Sequence, residues 1–221
     1  MPNILRPLPS RDLPRYGVAE AARILDVPAA TVRAWSYGRI LHGRGAVVPL
    51  IVPASSKSLS FTNLVELHVL RAMRRVHGVS MSHVRQALDA LGGPAGRPLA
   101  TRDLLTDGRD VFVQELGRLV KLTNSEQLSL HEHLRLHLER VHRDEQGIAV
   151  RMFPFMSDER NVLVDPEVSF GRPVLAGTGI PLANLVERFD AGESVEDLAS
   201  DFGLEVGVVK DAIRVAVRDA A

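Results

Sequence analysis

ILDVPAATVRAWSYGR, residues 24–39, sets a tight turn in front of a helix. Asp26-Val27-Pro28 supplies the turn: proline suits the first position of a helix and biases the residue before it away from helical angles. Ala29–Tyr37 then reads as the second helix, with Val32 and Trp35 facing inward and Gly38 ending it. Upstream, Tyr16–Leu25 reads as a first helix, because Val18, Ala21, Ala22 and Leu25 fall at i, i+3, i+4 and i+7. Helix, tight turn, helix is the pattern whose second member enters the major groove of DNA.

A reader of DNA needs cations, yet the 221-residue chain holds 27 Lys and Arg against 27 Asp and Glu. Position resolves the conflict. Residues 1–100 carry 13 basic and 5 acidic side chains, a net of +8, whereas residues 101–221 carry 14 and 22, a net of −8. Exposed Arg23, Arg33 and Arg39, with Arg44 in the hairpin that follows and Lys57, Arg71, Arg74 and Arg75 beyond, are candidates to neutralise phosphates. Thr31, Arg33 and Ser36 lie on the second helix, where side chains reach base edges.

Hydrophobic and charged contents of 45% and 24% are ordinary for a globular chain, and cysteine is absent. Thiol nucleophiles, disulfides and thiolate metal sites are thereby excluded. The N-terminal MPNILRPLPSRDLPR has no continuous apolar stretch, and no run approaches the ~20 residues that cross a bilayer. A non-membrane, cytoplasmic protein is expected.

Mainly α structure with short β elements is the expected fold class, in three parts. Residues 1–93 form a winged helix-turn-helix: Ile40–Pro53 makes a hairpin around His42-Gly43-Arg44-Gly45, then helices follow over Ser60–Val76 and Ser82–Leu91. GGPAGRP (92–98) is a linker by composition. Residues 94–157 form a central mixed segment, with a hairpin over Asp110–Leu122 turning at Gly117, a His-rich helix over Ser125–Arg143 and a strand within Ile148–Met156. The helix carries an apolar stripe at Leu130, Leu134, Leu138 and Val141 that offers a dimer surface. Residues 158–221 form a trihelical unit, Leu182–Asp190, Ser194–Phe202 and Val206–Val217, preceded by two short strands within Val162–Ile180. Ser194 caps the middle helix in an Asp-bearing variant of the capping box.

The two ends share one spacing. Adding 177 to Ala22, Leu25, Val27 and Val32 gives Ala199, Phe202, Leu204 and Val209, so the rear unit repeats the small and apolar slots of the front one. Chemistry separates them. Glu193, Glu196, Asp197, Asp201, Glu205 and Asp211 outnumber Lys210 and Arg214, which marks the rear unit as a protein-contacting or dimerising trihelix rather than a DNA reader.

Other motifs carry less. HEHLRLHLERVH (131–142) places His133 and His137 one turn apart, with Glu126 near that face, but it lacks a third ligand at metal-binding spacing and HExxH. GRPVLAGTGIP (171–181) lacks the order of a phosphate-binding loop. Asp165 and Glu167 are paired carboxylates with no pocket marked around them. No enzyme, cofactor or metal is expected.

With those residues in hand, NVLVDPEVSFGRPVLAGTGIPLANLVERFDAGESVEDLASDFGLEVGVVKDAI (161–213) resembles a bacterial domain of formerly unknown function found in many antitoxins. Gly179 stands where that domain usually has a charged residue. YGVAEAARILDVPAATVRAW (16–35) and LSFTNLVELHVLRAMRR (59–75), with HGVSMSHVRQAL (77–88), resemble the DNA-binding half of VapB-type antitoxins, a MerR-like winged helix-turn-helix. The resemblance implies a type II antitoxin that binds double-stranded operator DNA as a homodimer. It also implies that the protein neutralises a cognate PIN-like ribonuclease toxin, with Glu193, Glu196, Asp197, Asp201 and Glu205 as the toxin-facing set. Two rival classes remain open: a MerR-like regulator without a toxin, and a metal-dependent enzyme using the His-rich helix.

Overall fold

A computed structural model of the chain describes residues 8–41, 45–74, 80–100, 107–120, 123–156 and 159–217. Among them are helices α1 (Val18–Leu25), α2 (Ala29–Tyr37), α3 (Phe61–Arg74), α4 (Met81–Ala90), α5 (Asp107–Val120), α6 (Asn124–Leu138), α7 (Leu182–Asp190), α8 (Val195–Phe202) and α9 (Val206–Val217). The strands pair in three antiparallel ribbons: β1 (Arg39–Leu41) with β2 (Gly45–Val47), β3 (Val141–Arg143) with β4 (Ala149–Met152), and β5 (Val162–Leu163) with β6 (Val174–Leu175).

α3 organises the front and centre. Thirteen of its residues are buried, so it is surrounded rather than amphipathic. That placement obliges its polar side chains to find partners. The Asn63 amide donates to Val52 O at 2.8 Å and to Glu66 at 2.9 Å, while its carbonyl oxygen accepts from Ala54 N at 2.9 Å. Arg71 donates to Asp26 at 2.8 Å, tying α3 to the turn between α1 and α2. His68 Nε2 lies 3.2 Å from His137 O on α6.

One apolar core runs from Tyr16 through Leu25, Val32 and Leu64 to Phe112, Leu134, Met152 and Val164. Packing is therefore continuous across residues 93–94, where composition suggested a domain edge. A second core holds Val162, Leu175, Leu182, Leu185, Leu198, Ala199, Val209, Ala212 and Ile213. The rear unit is tied to the rest where Met152 and Val164 exchange backbone hydrogen bonds of 2.9 and 2.8 Å.

Three expectations are corrected in the central segment. Asp110–Leu122 is not a hairpin; its residues up to Val120 belong to α5. Gly117 marks a close crossing instead of a turn, since a Cβ there would come within 2.7 Å of the Gln127 side chain on α6. The His-rich helix starts one residue earlier than expected, at Asn124, and its N-cap is Thr123, whose hydroxyl and Glu126 complete a capping box. It ends at Leu138, and Val141 lies in β3. Finally, Leu130, Leu134 and Leu138 are buried within the single chain, so they are not a dimer surface.

Candidate nucleic-acid interface

The front helix-turn-helix is built by one unusual residue. α1 ends at Asp26 with φ 47° and ψ 55°, the left-handed conformation, and the Asp26 N–H is bonded within 3.2 Å of Arg23 O. Asp tolerates that conformation better than most side chains. The reversal lets Val27 N bond to Ala22 O at 3.0 Å and starts α2 at Pro28, whose carbonyl accepts from Thr31 N and Val32 N at 2.8 and 3.1 Å. Ala21, Leu25 and Val32 are 0% exposed, so the angle between the helices is fixed by packing. Behind α2, β1 pairs with β2 from Arg39↔Val47 to Leu41↔Gly45, as the wing pattern required.

The expected DNA-facing residues separate in this frame. Arg23 on α1, Arg33 on α2 and Arg39 on β1 are exposed. Thr31 is half-buried, with its hydroxyl 3.5 Å from Arg74 Nη1, so the end of α3 meets the start of α2. Lys57 is exposed in the Ser55–Ser58 turn. Ser36 is a correction: it is 0% exposed on the inner side of α2 and cannot reach a base edge. Its position four residues after Val32, on the core stripe, gives the reason. Arg71 is also withdrawn from phosphate contact, because it is buried against Asp26 and Pro154 O. Arg44 and Arg75 lie outside the described residues.

The rear unit repeats this backbone hydrogen bond for hydrogen bond, 177 residues on. α8 ends at Gly203 in the left-handed conformation, φ 65°, with its N–H 3.2 Å from Ser200 O. Leu204 N bonds Ala199 O at 2.8 Å, and Glu205 O accepts from Val208 N and Val209 N at 3.0 and 3.3 Å. Each bond has its counterpart in the front unit. The side chains do not. Pro28, Ala30, Thr31 and Ala34 correspond to Glu205, Gly207, Val208 and Asp211, and Arg23 to Ser200.

Not every rear carboxylate faces outward. Glu193 and Asp201 share Arg188, which donates through Nε to Glu193 at 2.7 Å and through Nη2 to Asp201 at 2.6 Å, and lies 5.1 Å over the Phe202 ring. Those hydrogen bonds hold the Glu193 carboxyl below its ordinary pKa. Asp211 is buried, bonded by Asn161 at 3.2 Å and by Arg214. Asp197 accepts from the Ser194 hydroxyl at 2.6 Å at the head of α8. Glu196, Asp197 and Glu205 are the exposed carboxylates of α8 and of the α8–α9 turn outside the Arg188 cluster. Of the two histidines weighed for metal, His133 is exposed and His137 turns inward onto His68, ring centroids 5.0 Å apart.

One exposed group had no signal in sequence periodicity. Phe170 is 84% exposed, at the tip of a turn in the left-handed conformation. The signal available was the Gly-Arg-Pro punctuation after it.

With the geometry fixed, relatives can be set beside it. Residues 162–216 match the family described as "Protein of unknown function (DUF433)", and residues 14–88 match one described as "Putative DNA-binding HTH domain". A Mycobacterium tuberculosis protein named "Putative antitoxin VapB45" is 30% identical over 91% of this chain and 93% of its own length. Another from that organism, "Uncharacterized protein Rv2308", is 24% identical over 90% and 88%. The crystal structure of Rv2018 from Mycobacterium tuberculosis superposes with a TM-score of 0.68 at 28% identity, over 93% of this chain and 98% of that one. No helix among the described residues is long and apolar enough to cross a membrane.

Proposed function

Because the chain belongs to the VapB-like antitoxin family and carries a helix-turn-helix DNA-binding domain at its front, we propose that it is the antitoxin of a type II toxin–antitoxin pair. Its front, a MerR-like winged unit, binds double-stranded operator DNA upstream of its own gene and represses it. Its rear captures a cognate PIN-like ribonuclease in the cytoplasm by direct contact. It acts as a homodimer, since helix-turn-helix proteins ordinarily read paired half-sites; the dimer surface lies elsewhere than the buried α6 stripe.

The observation that carries the reading is the repeated helix-turn-helix with exchanged surface chemistry. Exposed Arg23, Arg33 and Arg39 supply phosphate and base contacts, with Thr31 at the head of α2. A nuclease that grips RNA phosphates presents a basic rim, and exposed Glu196, Asp197 and Glu205 are complementary to it. Glu193 and Asp201 extend that field while anchored to Arg188. Membership of this family agrees with a non-enzymatic role.

Expressing the neighbouring gene alone and together with this one tests the proposal. Growth arrest relieved by co-expression is the expected result. A neighbour without effect on growth, or an arrest this protein leaves untouched, would remove the antitoxin role and favour a regulator without a toxin.

A further inference from the structure

Ser169, Phe170 and Gly171 have φ values of 46°, 57° and 79°, three successive residues in the left-handed region. Glycine adopts that region without penalty, whereas Ser and Phe are strained there, and such runs are rare. The turn is held in place from several sides. Gly171 N bonds Val168 O at 2.8 Å, Arg172 N bonds Ser169 O at 3.1 Å, and the Ser169 hydroxyl donates to Gly179 O at 3.2 Å. From the front unit, buried Tyr16 donates its hydroxyl to Gly171 O at 2.8 Å, and Arg15 donates to Pro166 O at 2.6 Å. Gly171 also fits only as glycine, because a Cβ would collide with the Tyr16 hydroxyl.

All of this bracing fixes one side chain in water. Phe170 is the most exposed large hydrophobic residue among those described, at 84%. Backbone strain that surrounding bonds maintain clusters at functional sites, and here its effect is to turn an aromatic ring outward. A phenyl ring meets DNA only through a thymine methyl or between base steps, and the exposed carboxylates Glu196, Asp197 and Glu205 of the same unit would repel the phosphates on either side. Aromatic side chains, Phe among them, are enriched in the buried cores of protein interfaces, where they fill apolar sockets. Phe170 belongs to the same rear unit as Glu196, Asp197 and Glu205, whose charge suits a basic partner. Carboxylates of that kind steer encounter, while a rigid aromatic supplies slow dissociation.

We infer that Phe170, presented by the strained 168–172 turn, is the apolar anchor by which this protein holds its protein partner, the basic-rimmed nuclease. The inference rests on the antitoxin reading and adds the residue and the socket chemistry: the partner carries an apolar pocket beside its basic rim. The ring arrives pre-placed, so little conformational freedom is lost when it is buried.

The test measures affinity of the full-length protein for the purified product of the neighbouring gene, with melting temperature recorded alongside. Phe170→Ala should weaken binding by more than about 30-fold with the melting temperature held, as expected of an interface anchor. Phe170→Gly should weaken it similarly while raising the melting temperature by about 2–4 °C, because glycine relieves the strain. Wild-type binding with Phe170→Ala within twofold of it overturns the anchor and leaves the antitoxin role standing. No wild-type binding overturns the antitoxin reading, and the anchor with it. A lowered melting temperature in both variants would make the loss structural and overturn the assignment. So would an effect confined to sedimentation or to operator binding, which would assign the ring to a second copy or to DNA.

Discussion

The chain contains the same short motif twice, and the two copies differ in what they show to their surroundings. Backbone bonds from Ala22 to Val32 reappear from Ala199 to Val209, down to the left-handed residue that reverses the chain. What the copies share is what a helix-turn-helix needs in order to form: a small residue for close crossing, and apolar residues in the angle. What they do not share lies on the outer surface, where Arg23 gives way to Ser200 and Pro28 to Glu205. Geometry is thus set by the inner positions and, on the proposed function, partner by the outer ones. Even the closest outer match, Arg33 with Lys210, exchanges a planar fork for a point charge.

Support beneath the two copies also differs. Leu25 is 0% exposed and α1 packs on α3, whose residues are buried up to Met73, whereas its counterpart Phe202 is only partly buried. Leu25→Ala should cost about 2–5 kcal/mol in urea unfolding, and Phe202→Ala less than that. A larger loss at Phe202 would contradict the ranking.

Next in size is an effect of pH that belongs to the front half. Burial raises the Glu66 carboxyl on α3 from the usual 4.5 to about 7, against a lowering hydrogen bond from Asn63. At pH below 4.5 folded and unfolded chains both hold this proton, and nothing is lost. As pH rises, the unfolded chain releases it first, so stability falls by about 2–3 kcal/mol up to pH 7 and then levels. Glu66→Gln should flatten that decline between pH 5 and 8. An identical decline in the variant would assign it to other groups.

Arg33→Ala should weaken operator binding by about 1–3 kcal/mol if the side chain reads a base, whereas Lys210→Ala should leave it unchanged. Equal losses would mean that both copies lie on DNA. The smallest effect lies at the two chain reversals. Gly203→Ala should cost about 1 kcal/mol for its left-handed backbone. Asp26→Ala should cost more, because Asp26 also holds the buried Arg71 guanidinium. A thermal melt of each variant distinguishes them.

Much of this was legible in the residue pattern, and the reasons are local. α2, α7 and α9 fall on their expected residues because proline, glycine and acidic caps mark their ends. The rear helices were readable from a single apolar stripe each. Asp107–Val120 was not, because β-favouring Val and Phe beside a glycine resemble a hairpin until α6 is known to cross at Gly117. Ser36 looked available for the same reason: helix periodicity gives a face, but only the packed fold decides which face is inward. Arg71 and the Arg188 cluster show the matching limit for charge, since a net count does not reveal which ions are already paired. Phe170 was invisible to periodicity because its exposure follows from backbone angles.

The division of labour between the copies is tested most directly by crossing two variants with two ligands. Arg33→Ala and the triple variant Glu196→Gln, Asp197→Asn, Glu205→Gln are each titrated, by fluorescence anisotropy, with the protein's own upstream DNA and with the neighbouring gene's product. The account predicts that Arg33→Ala loses affinity for DNA alone and that the triple variant loses affinity for the protein alone. Either variant weakening both ligands alike, or neither, would contradict it.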